Sequence, residues 1–367
     1  MKIVVTGTRG IPEIQGGVET HCQELYPRLA AMGHDITVIR RTPYVTDDNR
    51  ITEYRGVKLL DVYAPRQKSL EAIIHTTLAV LRARAMSPDI VHIHAVGPSI
   101  VMPLARLLGM RTVMTNHGPD YDRKKWGKLA KWIIRTGEKW GTRCANHVIV
   151  ISHVIADILA ANYGRTEGVH LIYNGVNRPT KSHDTDYIKQ LGLSPRRYVV
   201  AVGRFVEEKG FHDLIEAFAI SGLGQQGVKL AIAGDADHPD DYSEQLKRLA
   251  REHDVVLTGF IRGERMNQLM TNAALFCMPS YHEGLPIALL EAMSYELDAA
   301  VSSIPANRLS CLNDDDFFAP GDIDTMAQTL VNKINKAATP RTYDLSPYDW
   351  DDIARRTEAV YKEVLKR

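Results

Sequence analysis

The sequence lacks paired cysteines, long apolar runs and a strong overall charge. Its 367 residues hold four cysteines, Cys22, Cys144, Cys277 and Cys311, with no C-x-x-C pair. That spacing excludes a readable zinc knuckle, a thioredoxin-like site and a disulfide-stapled scaffold. Isolated cysteines in apolar settings act as small core residues, and a reducing cytosol is the expected compartment. No stretch approaches the ~18 apolar residues of a membrane-spanning helix. The opening run Met-Lys-Ile-Val-Val-Thr-Gly is too short for a signal peptide's apolar core. A cytoplasmic location follows, with peripheral attachment to the inner face of the plasma membrane left open. The formal net charge is only +1, but it hides a split. Residues 1–175 carry 23 Lys+Arg against 15 Asp+Glu, and residues 176–367 carry 22 against 29.

What is present is alternation. Short Val/Ile-rich runs such as Ile3–Thr6, Ile90–His94, Tyr198–Val202 and Lys229–Ala233 alternate with amphipathic stretches. Between Ile3–Thr6 and the next run, Asp35–Ile39, the residues Val18, Cys22, Leu25, Leu29 and Met32 recur at helical spacing, and Gly33 stops the pattern. Continuous apolar strands separated by helices imply parallel sheets covered on both faces. The expected fold is α/β, two doubly wound Rossmann-like domains facing across a cleft. One domain is expected over 1–175 and the other over 176–348, with a polar, turn-rich linker after residue 175. In such sheets ligands sit beyond the carboxyl ends of the strands, so the loops there carry the candidate chemistry.

After the first strand, Gly16-Gly17 precedes a helix whose free N–H groups can approach an anion. The loop is neither a dinucleotide fingerprint nor a P-loop, and a plain flexible turn fits it equally. After the fifth strand of the first half comes Asn116-His117-Gly118-Pro119-Asp120, where His117 could orient a sugar hydroxyl or stabilise a developing cation. A loop histidine satisfied by backbone is the alternative. His92 and His94 look like a metal pair but lack a carboxylate nearby in sequence, and no metal is expected. In the second half, Arg204 and Lys209 are spaced to embrace a diphosphate. Glu283-Gly284-Leu285-Pro286 is expected to open a helix with its amides exposed, and Glu291 follows eight residues later. At ~100° per residue the two carboxylates would share one side of that helix. Glu291 lies in the apolar run Ile-Ala-Leu-Leu-Glu-Ala-Met, where a charge requires a partner.

These motifs together resemble the retaining glycosyltransferases of family 4, which have the GT-B fold. The likeness rests on Gly16-Gly17-Val18-Glu19, His117-Gly118-Pro119-Asp120, Tyr173-Asn174-Gly175-Val176, Gly203-Arg204 with Glu208-Lys209-Gly210, Ile232-Ala233-Gly234-Asp235, and Glu283 with Glu291. The flavour is that of bacterial surface-polysaccharide enzymes, rhamnosyltransferases among them. The resemblance implies that Arg204 and Lys209 hold the donor diphosphate and Glu291 the ribose. Glu283 with Gly284, Leu285 and Pro286 would hold the donor sugar, and the backbone around Phe260 and Ile261 the base. Gly16 and Gly17 would approach the phosphates and His117 the transferred sugar. Glu19, His94 and Asp120 are expected on the acceptor side, with His117, Glu283, Arg204 and Lys209 central to catalysis. Donor and acceptor are expected to be a nucleotide diphosphate sugar, UDP-linked by preference, and a glycan or lipid-linked sugar. No cofactor is expected. The C-terminal helix, here 349–367, often returns to the first domain in this family. The sequence departs from the family after Glu291, with Tyr295-Glu296-Leu297-Asp298 in place of a Gly-x-Pro turn. Asp235-Ala236-Asp237 and Asp322-Ile323-Asp324 imitate the Asp-x-Asp metal motif of another glycosyltransferase fold, but read as strand-end and helix-start acids.

The segment 122–143 carries eight Lys/Arg against two acids, with Trp126, Trp132 and Trp140. A basic helix with Trp and Leu suits an anionic membrane surface, though a solvated domain helix has the same composition. No companion motif points to nucleic acid. Two rivals to sugar transfer remain at this stage, a nucleotide-sugar epimerase on the same fold and a non-catalytic nucleotide-sugar-binding protein.

Overall fold

A computed structural model describes residues 1–14, 16–66, 71–118, 127–236, 239–309, 311–336 and 341–366. The chain forms two compact units, Met1–Gly175 with Pro347–Arg367, and Val176–Ser346. Each is a parallel sheet between helices.

The first unit has strands β1 (Lys2–Thr6), β2 (Asp35–Arg41), β3 (Glu53–Tyr54), β4 (Val57–Val62), β5 (Ile90–His94), β6 (Thr112–Asn116), β7 (His147–Val150) and β8 (Val169–Leu171). They lie in the order β3-β4-β2-β1-β5-β6-β7-β8. All pairings are parallel except the two-residue edge strand β3 against β4, which is too short to leave a periodic signal. Helices α1 (Gly17–Ala31), α2 (Glu71–Met86), α3 (Met102–Leu107), α4 (Lys128–Cys144) and α5 (His153–Tyr163) connect them. The local signals are ordinary. The Ser152 hydroxyl accepts from the Ile155 N–H to start α5, and Gly164 in the left-handed region (φ 64) ends it.

The second unit is built from β9 (Tyr198–Val202), β10 (Lys229–Ala233), β11 (Val256–Gly259), β12 (Leu275–Met278), β13 (Ala299–Ser302) and β14 (Phe317–Phe318), ordered β11-β10-β9-β12-β13-β14. Its helices are α6 (Asp186–Gln190), α7 (Phe211–Ile220), α8 (Asp241–Glu252), α9 (Glu264–Thr271), α10 (Ile287–Ser294) and α11 (Ile323–Asn335). Asp322 caps α11 by accepting from the Thr325 N–H at 3.0 Å. Asp235 follows β10 and pairs with Lys247 at 3.2 Å. Both acids therefore have structural partners; Asp237 lies outside the described residues. Cys22 and Cys277 are buried, while Cys144 and Cys311 are half-buried.

The last helix, α12 (Trp350–Lys366), packs against α1 in the first unit. Trp350, Ile353, Val360, Tyr361 and Val364 join the core made by Ile3, Val5, Leu25 and Leu29. Trp350 lies so close to Gly175 that a Cβ there would meet its ring at 2.4 Å. Trp350→Ala should lower stability by about 3–5 kcal/mol, measured by urea unfolding; a loss under about 1 kcal/mol would show that the helix is not anchored by this ring.

Candidate active site

In the second sheet the strand order reverses between β9 and β12, and a crevice opens at such a point. Two loops meet there. The loop after β9 carries Gly203 and Arg204, then a short turn, Glu207–Lys209, and Gly210. The loop after β12 runs from Pro279 to Pro286. The loops are bonded to each other, since the Tyr281 N–H donates to the Glu208 carbonyl at 2.8 Å. Tyr281 Oη also donates to Asp213 Oδ2 at 2.5 Å. Gly210 is required twice over. Its φ is +64°, and a Cβ would stand 2.4 Å from the Pro279 carbonyl oxygen. Gly234, after β10, is pressed against Gly203 in the same way.

The consequence is an ion pair between residues 74 apart in sequence, Lys209 Nζ to Glu283 Oε1 at 2.6 Å. Their side chains keep 21% and 12% of their exposure, so the pair is shielded but reachable. Arg204 is half-buried on the same loop. Glu283 is not on a helix, contrary to the expectation from spacing. Helix α10 begins at Ile287 with Pro286 as its extended N-cap (φ −80, ψ 101). Proline fixes φ but disfavours an α conformation in the residue before it, so Gly284 and Leu285 stay outside the helix. Glu291 is within α10 and half-buried. Burial, with the nearby Glu291 and Glu264 charges, pushes the Tyr295 phenol up to about 12. The turn that departs from the family is made without glycine. Glu296 adopts φ +61 and its carboxylate is held by Lys181 at 2.5 Å.

Ile261 is buried and Phe260 is exposed just beyond β11, its ring under the Arg262 guanidinium. A recess of about 360 Å³ is lined by Gly234, Asp235, Leu257 and Gly259 with Lys247 and Arg251 of α8.

In the first unit the strand order reverses between β1 and β5. Gly16 precedes α1 with φ +149, and a Cβ on it would collide with Glu19 Oε2. Gly17 opens the helix and is exposed. Glu19 is buried rather than turned toward an acceptor. Its Oε1 accepts from Thr8 Oγ1 at 3.0 Å and the Arg9 N–H at 2.9 Å, which folds the glycine loop over it.

Four histidines gather at this edge. His94 Nδ1 and His117 Nε2 are 2.9 Å apart. Tyr26 Oη bonds His94 Nε2 and lies 3.1 Å from His92 Nδ1. His92 is further bonded to Tyr361 Oη at 2.6 Å and Thr115 Oγ1 at 2.7 Å. His21 Nδ1 donates to Asn174 Oδ1 at 2.8 Å, which leaves its Nε2 as an acceptor. His94 is fully buried, so it backs His117 instead of meeting an acceptor. His117 is the half-buried tip of the chain. Burial pulls His21 down to about 4 and His92 to about 3, and holds His94 and His117 well below the usual histidine value. His117 is thus a neutral hydrogen-bonding group, suited to a hydroxyl.

Its loop is held from behind. The Asn116 Nδ2 donates to Glu138 Oε1 at 3.1 Å, and Asn116 Oδ1 accepts the Gly118 N–H at 2.9 Å. Glu138 is fully buried and also takes a bond from Tyr163 Oη at 2.8 Å. His21, Tyr26 and Glu138 carried no recognisable motif. Their sequence neighbours form no apolar run, so tertiary packing alone marks them. Asp120 lies outside the described residues.

Because these rings are neutral when folded, the unfolded chain protonates first. Stability should be level above pH 6.5 and fall as pH drops from 6.5 toward about 4 for His21 and about 3 for His92. Each ring contributes about 1.4 kcal/mol per pH unit in its window. Urea unfolding across that range reads the slope, which His92→Gln should flatten by about one proton; an unchanged slope would contradict the burial argument.

Comparison with known proteins agrees with the geometry. Residues 15–178 match the family profile described as Glycosyltransferase Family 4, and residues 184–339 match Glycosyl transferases group 1. An uncharacterised glycosyltransferase of Methanocaldococcus jannaschii is 25% identical, covering 100% of this chain and 99% of its own. Sucrose-phosphate synthase from Thermosynechococcus elongatus has the same fold, with a TM-score of 0.81 at 20% identity over 100% of this chain and 99% of that one. So does Anabaena HepE, solved in complex with UDP and glucose, with a TM-score of 0.79 at 18% identity over 99% of this chain and 100% of that one. With two parallel α/β units and matching profiles across both, the chain belongs to the glycosyltransferases of the GT-B fold.

Proposed function

We propose that the enzyme transfers a sugar from a nucleotide diphosphate sugar to a glycan or lipid-linked acceptor, with retention of anomeric configuration, in the building of a surface polysaccharide. The observation that carries this reading is the Lys209–Glu283 pair at the reversal point of the second sheet. It sets a cation for phosphate beside a carboxylate for sugar hydroxyls. Arg204 adds a planar fork on the same loop. Together these cations neutralise the leaving diphosphate, so the reaction needs no resident metal. Glu291 holds the ribose, and the amides of Gly284, Leu285 and Pro286 face the donor sugar. The backbone around Phe260 and Ile261 takes the base, and uridine is favoured because HepE was solved with UDP and glucose. In the first unit, Gly16 and Gly17 offer amides to phosphate, and neutral His117 donates or accepts at a hydroxyl of the transferred sugar. Retention follows if the leaving phosphate takes the acceptor's proton on the face it departs from, a route that needs no opposed carboxylate pair.

Helix α4 bears on the acceptor class. Leu129, Trp132 and Trp140 are 71%, 63% and 42% exposed. They share the outer face with exposed Lys128, Arg135, Lys139 and Arg143. The pattern suits the interface of an anionic bilayer, where a lipid-linked acceptor would reside.

Release of nucleoside diphosphate from a panel of UDP-, GDP- and ADP-sugars, with NMR of the product anomer, tests the transfer. Lys209→Ala and Glu291→Ala should each slow it by ~10²–10³; full turnover in both would overturn the assignment. Binding to anionic liposomes should be salt-sensitive and weakened in Trp132→Ala. No binding at low salt would remove the membrane-bound acceptor from this reading while leaving sugar transfer intact.

A further inference from the structure

The opposite end of the first sheet holds a second histidine cluster that sugar transfer does not use. His147 is the first residue of β7, so it stands at the amino edge, away from the loop that follows β6. His170 lies on the adjacent strand β8, where it pairs with Ile149. Side chains alternate along a strand, so His147 and His170 fall on one face. Their rings stack at 5.0 Å between centroids, and Glu363 of α12 reaches over them.

Three atoms converge. His147 Nδ1 and His170 Nε2 are hydrogen-bonded at 2.8 Å, a bond that metal binding would replace, and Glu363 Oε2 is 3.7 Å from each. The carboxylate is too far for a hydrogen bond to either ring. The triangle is instead the size of a coordination face. Ligand bonds of ~2.0–2.1 Å at tetrahedral angles set donor atoms about 3.3–3.4 Å apart, between the short and long edges seen here. Two imidazoles and a carboxylate form a donor set that suits zinc, with the fourth position left for water.

We propose that His147, His170 and Glu363 bind a divalent transition metal of the zinc class. The ion would clip α12 to β7 and β8 and stabilise the first unit. It takes no part in transfer, so the proposal stands apart from the assigned reaction.

The test uses the full chain without a histidine tag, stripped with chelator and dialysed against trace zinc. Elemental analysis should find one retained equivalent, and zinc should raise Tm. His170→Ala and Glu363→Gln should each lose both effects while keeping the far-UV spectrum; both side chains are partly exposed, so the variants should fold. His117→Ala, which disrupts the other described group of three close histidines, His21, His94 and His117, should keep both effects. The proposal is overturned if no zinc is retained, if both clip variants retain it, or if its loss follows His117→Ala instead.

Discussion

An all-parallel sheet imposes one constraint on everything built upon it. Every strand delivers its carboxyl end to the same edge, and every helix carries the chain back. Polar loops therefore accumulate at one edge of each unit, and they separate where the strand order reverses. The pair β9 and β12 marks that place in the second sheet, and β1 and β5 mark it in the first. Residues remote in sequence, such as Lys209 and Glu283, meet because of this geometry and not because of any local pattern. Glycines without room for a Cβ, Gly234 against Gly203 and Gly210 against Pro279, keep the loops dense enough for the meeting to occur.

The two polar clusters solve opposite electrostatic problems. In the second unit, charge is kept and balanced: lysine against glutamate, half out of water. In the first unit, charge is suppressed. Three imidazoles, two phenols and a threonine satisfy one another as neutral groups, and a fourth imidazole, His21, is satisfied by Asn174. Such a network is stable only while it remains unprotonated, since an imidazolium buried among imidazoles would lack a counter-charge. The first arrangement suits an anionic ligand and the second suits a hydroxyl-rich one.

The alternation of Val/Ile runs with amphipathic stretches was enough to read two parallel α/β sheets, because buried strands leave long apolar signals. Edge strands of two residues, Glu53–Tyr54 and Phe317–Phe318, leave none. The motifs single out Arg204, Lys209, Glu283 and Glu291, and the Lys209–Glu283 bond joins two of them. Their geometry was not legible. Helical periodicity carried Glu283 onto α10, whereas Pro286 delays the helix to Ile287. His94 looked like a site residue because it ends a strand, yet side-chain burial, invisible to spacing, turns it into support for His117. Glu138 was counted as one acid in a basic segment. Only tertiary packing reveals it as a buried anchor.

That anchor links two surfaces that sequence treats separately. Gly137 and Gly141 let α4 lie directly on Val96, Ser99 and Met114, with no space for a Cβ between. A shift of the helix would act on the Glu138–Asn116 bond, and Asn116 in turn holds the Gly118 amide beside His117. The outer face with Trp132 and Trp140 and the inner loop with His117 are thus two ends of one lever. A ligand on the tryptophans that shifted the helix would bear on the loop, and by linkage a ligand at the loop would bear equally on the outer face.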